Sequence, residues 1–238
     1  MPARKRWRWV GVFSPELMLC VGDARVGPLP RRWWAVALPD GTLADGSRGV
    51  RLEPGRAQVR GVIDIELDEN EGFELTSNTA GGNTIWTRKQ GGVPARGRVT
   101  FPGSAPREID AHAIVDESAG RHDRHTSWRW SAGVGVAEDG SPVAWNLVDG
   151  IHDAPGASER RVWRDGEAVE VDPVEFAPGL SGVAGLDFTP WAERSENLNL
   201  VLVRSRYRQP FGSFTGELPD GTPLREGYGV MEEHDALW

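Results

Sequence analysis

No window of this sequence sustains the spacing of an amphipathic helix. Apolar and polar residues instead alternate in short runs, and a turn signal closes most of them. Trp7, Trp9, Gly11 and Phe13 alternate with Arg8, Val10 and Val12; Val59, Gly61, Ile63, Ile65 and Leu67 share a strand with Arg60, Asp64 and Glu66. Pro39-Asp40-Gly41, Asp165-Gly166 and Pro219-Asp220-Gly221 supply turns, because glycine takes the positive φ that a tight hairpin needs. Leu17 to Val21 is apolar without a break, as expected of a strand covered on both faces. The stretch Asn78 to Gly92, rich in Gly, Asn and Thr, reads as loop, and the tail Met231 to Trp238 is the best helix candidate. Many short strands with frequent turns specify a sandwich or a barrel, and closure into barrels removes the exposed edges such a chain would otherwise have to protect.

The stretch from Asp116 to Gly150 carries the densest chemistry. It reads as a loop, a strand, a turn at Glu138-Asp139-Gly140 and a second strand. Asp116, Glu117, Arg121, His122, Asp123, Arg124 and His125 put seven ionisable groups into ten positions, and they lead directly into Trp128 and Trp130, with Trp145 on the second strand. A polar cluster delivered to an aromatic surface is the composition of a ligand site; a solvated loop ahead of a well-packed hairpin has the same local pattern. Asn146 faces away from Val143, Trp145 and Leu147, so the cavity side of this strand is either the amide face or the indole face.

Composition narrows the function classes. Of 238 residues, 39% are hydrophobic and 26% charged, which suits a globular chain with a real core. A formal net charge of −8 disfavours nucleic acid as partner. One cysteine, Cys20, rules out an intramolecular disulfide; inside an apolar run it reads as a buried, inert thiol, and its isolation fits a cytoplasmic location. No apolar run reaches the roughly 18 residues of a membrane span, and no signal peptide is evident. Eleven tryptophans against two tyrosines give more indole than a core of this size ordinarily uses, a hint of an aromatic-lined cavity. His122 and His125 are spaced for opposite faces of a strand, so no metal site is expected, nor any other cofactor. Serine-nucleophile and phosphate-loop patterns are absent.

Trp7-Arg8-Trp9 and Trp128-Arg129-Trp130 repeat one tripeptide about 120 residues apart, a sign of two related halves. The first lies within Lys5-Arg6-Trp7-Arg8-Trp9, followed by Ser14-Pro15-Glu16-Leu17. Together with Asp116 to Gly120, Thr126-Ser127-Trp128-Arg129-Trp130, Asn146 to Gly150, Gln209-Pro210-Phe211-Gly212 and Gly229 to His234 with Trp238, these strings resemble the family called domain of unknown function 2804. That family is distantly similar to carotenoid hydratases, lipocalin-like AttH proteins and tocopherol cyclase. The resemblance implies an all-β chain of two tandem lipocalin-like barrels, residues 1–108 and 109–238, with the boundary near Pro106 to Asp110. The chain departs from the family pattern at Glu159-Arg160-Arg161-Val162-Trp163, where Arg160 stands for a common asparagine.

The resemblance further implies a hydrophobic small-molecule partner, isoprenoid or lipid-like. Hydration or cyclisation of such a molecule needs a carboxylic acid kept neutral by burial and aromatic faces to steady a carbocation. Asp116 and Glu232 are the candidate acids, and His125 the base or orienting donor. Trp128, Trp130, Trp145, Asn146, Gln209, Arg121 and His234 are the candidate ligand contacts. Turn-capping and solvated roles are the plain alternatives for both acids, and Arg121 or Arg124 is positioned in sequence to pair with Asp116 and hold it ionised. A carrier without catalysis and a purely structural member of the fold are the competing readings.

Overall fold

The computed structural model describes residues 4–79, 81–154, 156–200 and 203–237. The first sheet contains β1 (Arg4–Phe13), β2 (Met18–Val26), β3 (Leu29–Ala37), β4 (Leu43–Gly46), β5 (Val50–Glu53), β6 (Arg56–Val59), β7 (Ile63–Leu67), β8 (Phe73–Asn78), β9 (Thr84–Val99) and β10 (Arg107–Arg121). Its strands run in the order β4-β3-β2-β1-β10-β9-β7-β6-β5, with β8 also paired to β9. After it come β11 (His125–Ala137), β12 (Pro142–Asp149), the small hairpin β13 (Asp153–Ala154) and β14 (Ala157–Ser158), β15 (Arg161–Arg164), β16 (Glu167–Glu170), β17 (Gly182–Val183), β18 (Leu186–Leu200), β19 (Val203–Glu217) and β20 (Pro223–Leu237). All but the small hairpin form the second sheet, in the order β16-β15-β12-β11-β20-β19-β18-β17. All named pairs are antiparallel, as in β1–β10 and β11–β20. Among the described residues no helix is long and apolar enough to cross a membrane.

The all-β expectation holds, with a refinement: both sheets curl into half-barrels whose ladders stay open. In the first sheet the end strands β4 and β5 are joined only by the short connection 47–49. In the second the chain itself runs from β16 to β17 across the gap and buries Val171, Val174, Phe176 and Leu180 in the interior. Several local expectations change. Asp116 to Arg121 is strand rather than loop, and Thr84 to Gly92 lies within β9. The tail that reads as a helix continues β20 to Leu237, because its residues pair with β11 on one side and β19 on the other; Trp238 lies outside the described residues. β10 pairs with β1 and β9, so the first sheet extends to Arg121 and the second begins with β11.

Strand alternation explains why there are three apolar clusters and not two. Val10, Val12, Leu19, Val21, Trp34 and Val36 point into the first half-barrel. Their neighbours Trp9, Phe13, Met18, Cys20, Ala35 and Ala37 point the other way, onto the second sheet. In that sheet Trp130, Ala132, Ala144, Val148, Phe211 and Val230 face this shared layer, while Trp145, Leu147, Phe214 and Met231 fill the second interior. The continuous apolar run Leu17 to Val21 is thus a strand covered on both faces. Trp9 and Trp130 meet edge to face at 5.1 Å in the shared layer. Burial on this scale contributes about 25 cal/mol per Å² of apolar surface, so sheet-to-sheet packing is a principal term in stability.

Gly133 on β11 shows how tightly the second interior is filled. A Cβ there would lie 2.3 Å from the Trp145 indole and 2.7 Å from the Tyr228 carbonyl oxygen. The carbonyl belongs to a paired strand and cannot withdraw. Gly133→Ala is expected to lower stability by about 1–3 kcal/mol, read from the midpoint of urea unfolding.

Candidate functional site

Between the two sheets the shared layer opens into a cleft of about 160 Å³. Its walls are the indoles of Trp7, Trp9, Trp33, Trp128 and Trp130 with Val26, Val148, Ile151 and Leu198. Of the carboxylates that line it, Asp116 and Glu232 are each held by the same arrangement in their own sheet. In the first, Asp116 on β10 stands opposite Trp9 on β1, and Trp7 Nε1 donates to its Oδ2 at 3.0 Å. In the second, Glu232 on β20 stands opposite Trp130 on β11, and Trp128 Nε1 donates to its Oε1 at 2.9 Å. The repeated Trp-Arg-Trp string is therefore a repeated site element: one tryptophan lies across from the acid and the other hydrogen-bonds to it.

The two acids differ in what the third strand supplies. Lys89 on β9 pairs across from Asp116 and forms a close ion pair with its Oδ1, and the same ammonium lies 3.2 Å from Glu159 Oε1. Burial draws the Lys89 ammonium down, but Asp116 and Glu159 together more than offset this and leave it above its ordinary value. In the second sheet the corresponding place, next along the ladder from the Arg208–Glu233 pair, belongs to Gln209. Its amide donates to Glu232 Oε2 at 2.8 Å, and the Tyr207 hydroxyl donates to the same oxygen at 3.1 Å. No cation is among the hydrogen-bond partners of Glu232 in the described residues. Burial pushes its carboxyl from 4.5 up to about 7, although the indole, phenol and amide bonds pull the other way. Asp116 is the anionic half of an ion pair; Glu232 is poised to hold and release a proton near neutral pH.

The side chains that hydrogen-bond to Glu232 are neutral, and Arg194, which lines the same cleft, lies 5.3 Å from the Tyr207 ring. His234 stacks edge-on against Trp128 at 4.4 Å and shares a hydrogen bond with the Ser205 hydroxyl at 2.9 Å. Burial lowers its pKa to about 4, so it is neutral at pH 7. Burial also raises Tyr207 well above its usual range and keeps it a phenol. At the opposite end, Glu159 and His152 close the cleft. Asn146 joins the wall to this end: its Oδ1 accepts from Trp130 Nε1 at 2.8 Å, and its Nδ2 donates to the Glu159 carbonyl at 2.8 Å.

The structure brings together Asp116, Glu232, Trp128, Trp130 and His234 on the cleft, with Asn146 and Gln209 buried just behind them. It separates others. Trp145 points into the second interior, where its Nε1 donates to Ser131 Oγ at 3.1 Å and its ring packs on Phe214. His125 is 62% exposed and pairs with Asp235 at 2.9 Å, outside the cleft lining and away from Asp116. Arg121 is exposed at the end of β10 and outside the cleft, and the cation beside Asp116 is Lys89. Glu233 is exposed, on the face of β20 that also carries Met231 and away from the cleft. Cys20 is fully buried in the shared layer, and burial pushes its thiol up to about 12, which removes it as a nucleophile. The sequence reading did not single out Lys89, Glu159, His152 or Tyr207. Trp7 and Trp9 were signalled by the repeat.

Fold and site together define an all-β protein of two packed half-barrels with a small-molecule-sized cleft between them. The chain belongs to the family described as domain of unknown function (DUF2804), whose model matches residues 42–238. Its fold is similar to that of a crystal structure of a putative AttH from Nitrosomonas europaea, with a TM-score of 0.54 and 12% identity over 97% of this chain and 92% of that one. Weaker likeness extends to kievitone hydratase from Nectria haematococca, with a TM-score of 0.43 and 12% identity over 97% of this chain and 88% of that one. CghA has a TM-score of 0.46 and 10% identity, covering 99% and 88% of the two chains. No curated protein matches the chain.

The Glu232 environment sets a sign for pH-dependent stability. A carboxyl whose pKa is raised on folding stabilises the folded state while it is protonated, and that contribution is lost as pH climbs from 4.5 through about 7. Glu232→Gln keeps a neutral group of the same shape. The variant is expected to gain on the parent protein between pH 5 and pH 8.5, by roughly 2–3 kcal/mol at the upper end. Paired thermal melts across that range read the crossing.

Proposed function

We propose that the cleft binds a hydrophobic small molecule, isoprenoid or lipid-like, and that Glu232 serves there as a proton donor of the hydratase or cyclase type. The observation that carries this reading is a buried carboxyl, facing indole walls, whose hydrogen-bond partners among the described residues are all neutral. In the step, the Glu232 carboxyl proton adds to one carbon of a double bond and leaves a carbocation on the other. The faces of Trp128 and Trp130 and the Glu232 carboxylate stabilise that charge. Water adds to the cation and its surplus proton returns to the carboxylate, giving an alcohol; capture by a second double bond or a hydroxyl of the same molecule closes a ring, and a proton lost from the carbon next to the new cation or from the captured hydroxyl returns to the carboxylate. A carrier that binds without turnover is the second reading, favoured by the ion pair of Lys89 with Asp116, which takes one of the two indole-bonded acids out of the chemistry.

Trp128→Ala is expected to weaken binding of an apolar fluorescent probe at least tenfold, while Arg4→Ala, at the exposed start of β1, leaves it unchanged. Equal effects of the two would count against the cleft. Incubation with short prenyl alcohols, read by mass spectrometry for a gain of water or an isomerised product, separates the enzyme from the carrier. Product in the parent protein and none in Glu232→Gln, with probe binding intact in both, is the outcome expected of the enzyme.

A further inference from the structure

The far end of the cleft is built differently from the Glu232 end. The turn after β12 sets His152 at a φ of 49°, a left-handed conformation that costs energy for a residue with a side chain. It is fixed there twice. The Ser77 hydroxyl on β8 shares a 2.6 Å hydrogen bond with Nδ1, and the His152 carbonyl accepts from the Glu159 backbone N–H at 2.9 Å. Arg160, itself buried, clamps the turn by donating to the Asp153 carbonyl at 2.9 Å. Two polar atoms are left over. His152 Nε2 and Glu159 Oε2 are both buried, both residues line the cleft, and neither atom has a hydrogen-bond partner among the described residues. A buried polar atom left unpaired costs about 1–3 kcal/mol, so two on adjoining side chains at one wall mark a place for something to bind.

Carboxylate Oε2 only accepts, with Oε1 beside the Lys89 ammonium. Imidazole Nε2 donates when the Ser77 hydroxyl turns its hydrogen toward Nδ1. A hydroxyl satisfies both at once, donating to Glu159 and accepting from His152, whereas a carbonyl satisfies only the imidazole and a hydrocarbon neither. We infer that His152 and Glu159 form a hydroxyl-binding subsite, so that the ligand of this cleft is an apolar molecule with an alcohol or phenol at one end rather than a plain hydrocarbon. The subsite rests on the cleft being a binding site for apolar molecules, and it specifies which of them.

Two probes of nearly the same shape test it: p-cresol and p-xylene, titrated against the intact protein and followed by the indole N–H resonances. The protein should bind p-cresol at least tenfold more tightly, although its hydroxyl is the better hydrated group. His152→Phe and Glu159→Met should each abolish that preference while leaving p-xylene affinity in place, and retained p-xylene binding shows that the variants fold. Equal affinity of the two probes for the parent protein, the result if water alone occupies the subsite, overturns the inference but not the cleft. A preference that survives both substitutions also overturns it. If neither probe binds, the binding cleft itself is wrong and the subsite falls with it.

Discussion

Everything in this molecule depends on two sheets packed face to face through strands that are buried on both sides. A strand with one wet face can tolerate a polar residue at every second position; β1, β2 and β12 cannot, because one face fills a half-barrel and the other meets the opposing sheet. The polar groups that do enter this layer are confined to one end, where the packing opens. There they are tied together by hydrogen bonds from indole, amide and phenol, as buried polar groups must be. The cleft is the place where the packing of the two sheets is left incomplete.

The two halves show how one architecture sets two acids to different states. Each presents a carboxylate opposite the second tryptophan of a Trp-Arg-Trp string. The residue on the third strand decides the outcome: an ammonium at Lys89, a neutral amide at Gln209. A β-bulge between Ala113 and Val115 controls the first of these. Continued without a shift, the register before the bulge would bring Gln90 opposite Asp116. The extra residue moves Lys89 into place and turns Gln90 toward Glu69 and the Asn70 backbone instead. A displacement of one residue thus separates an ion pair from an amide contact.

This is also why the fold was legible in the sequence and the site only partly so. Strand periodicity and turn residues are local, and they specified an all-β chain. The tandem tryptophan strings pointed to Trp128, Trp130 and, through the repeat, Trp7 and Trp9; Glu232 was within reach as an acid close to the chain end. Lys89 was hidden because its importance lies in a pairing across 27 positions that a bulge resets. His152 and Glu159 were hidden because a turn with a left-handed residue, not a periodic strand, carries them. Trp145 illustrates the converse error. Alternation gave it the correct face relative to Asn146, but no local pattern says which face of a doubly covered strand meets the cleft. His125 had the right chemistry in the wrong place, since it opens β11 at a position whose alternation puts it on the face opposite Trp128 and Trp130.

Cys20 sits in the middle of the shared layer, sealed from solvent and with its thiol held protonated by burial. Alkylating reagents can reach it only when the two sheets part, so its rate of modification reports how often the protein breathes along that seam. Any ligand that spans the cleft and braces both sheets slows that clock, whatever its chemical identity and without the need for a label.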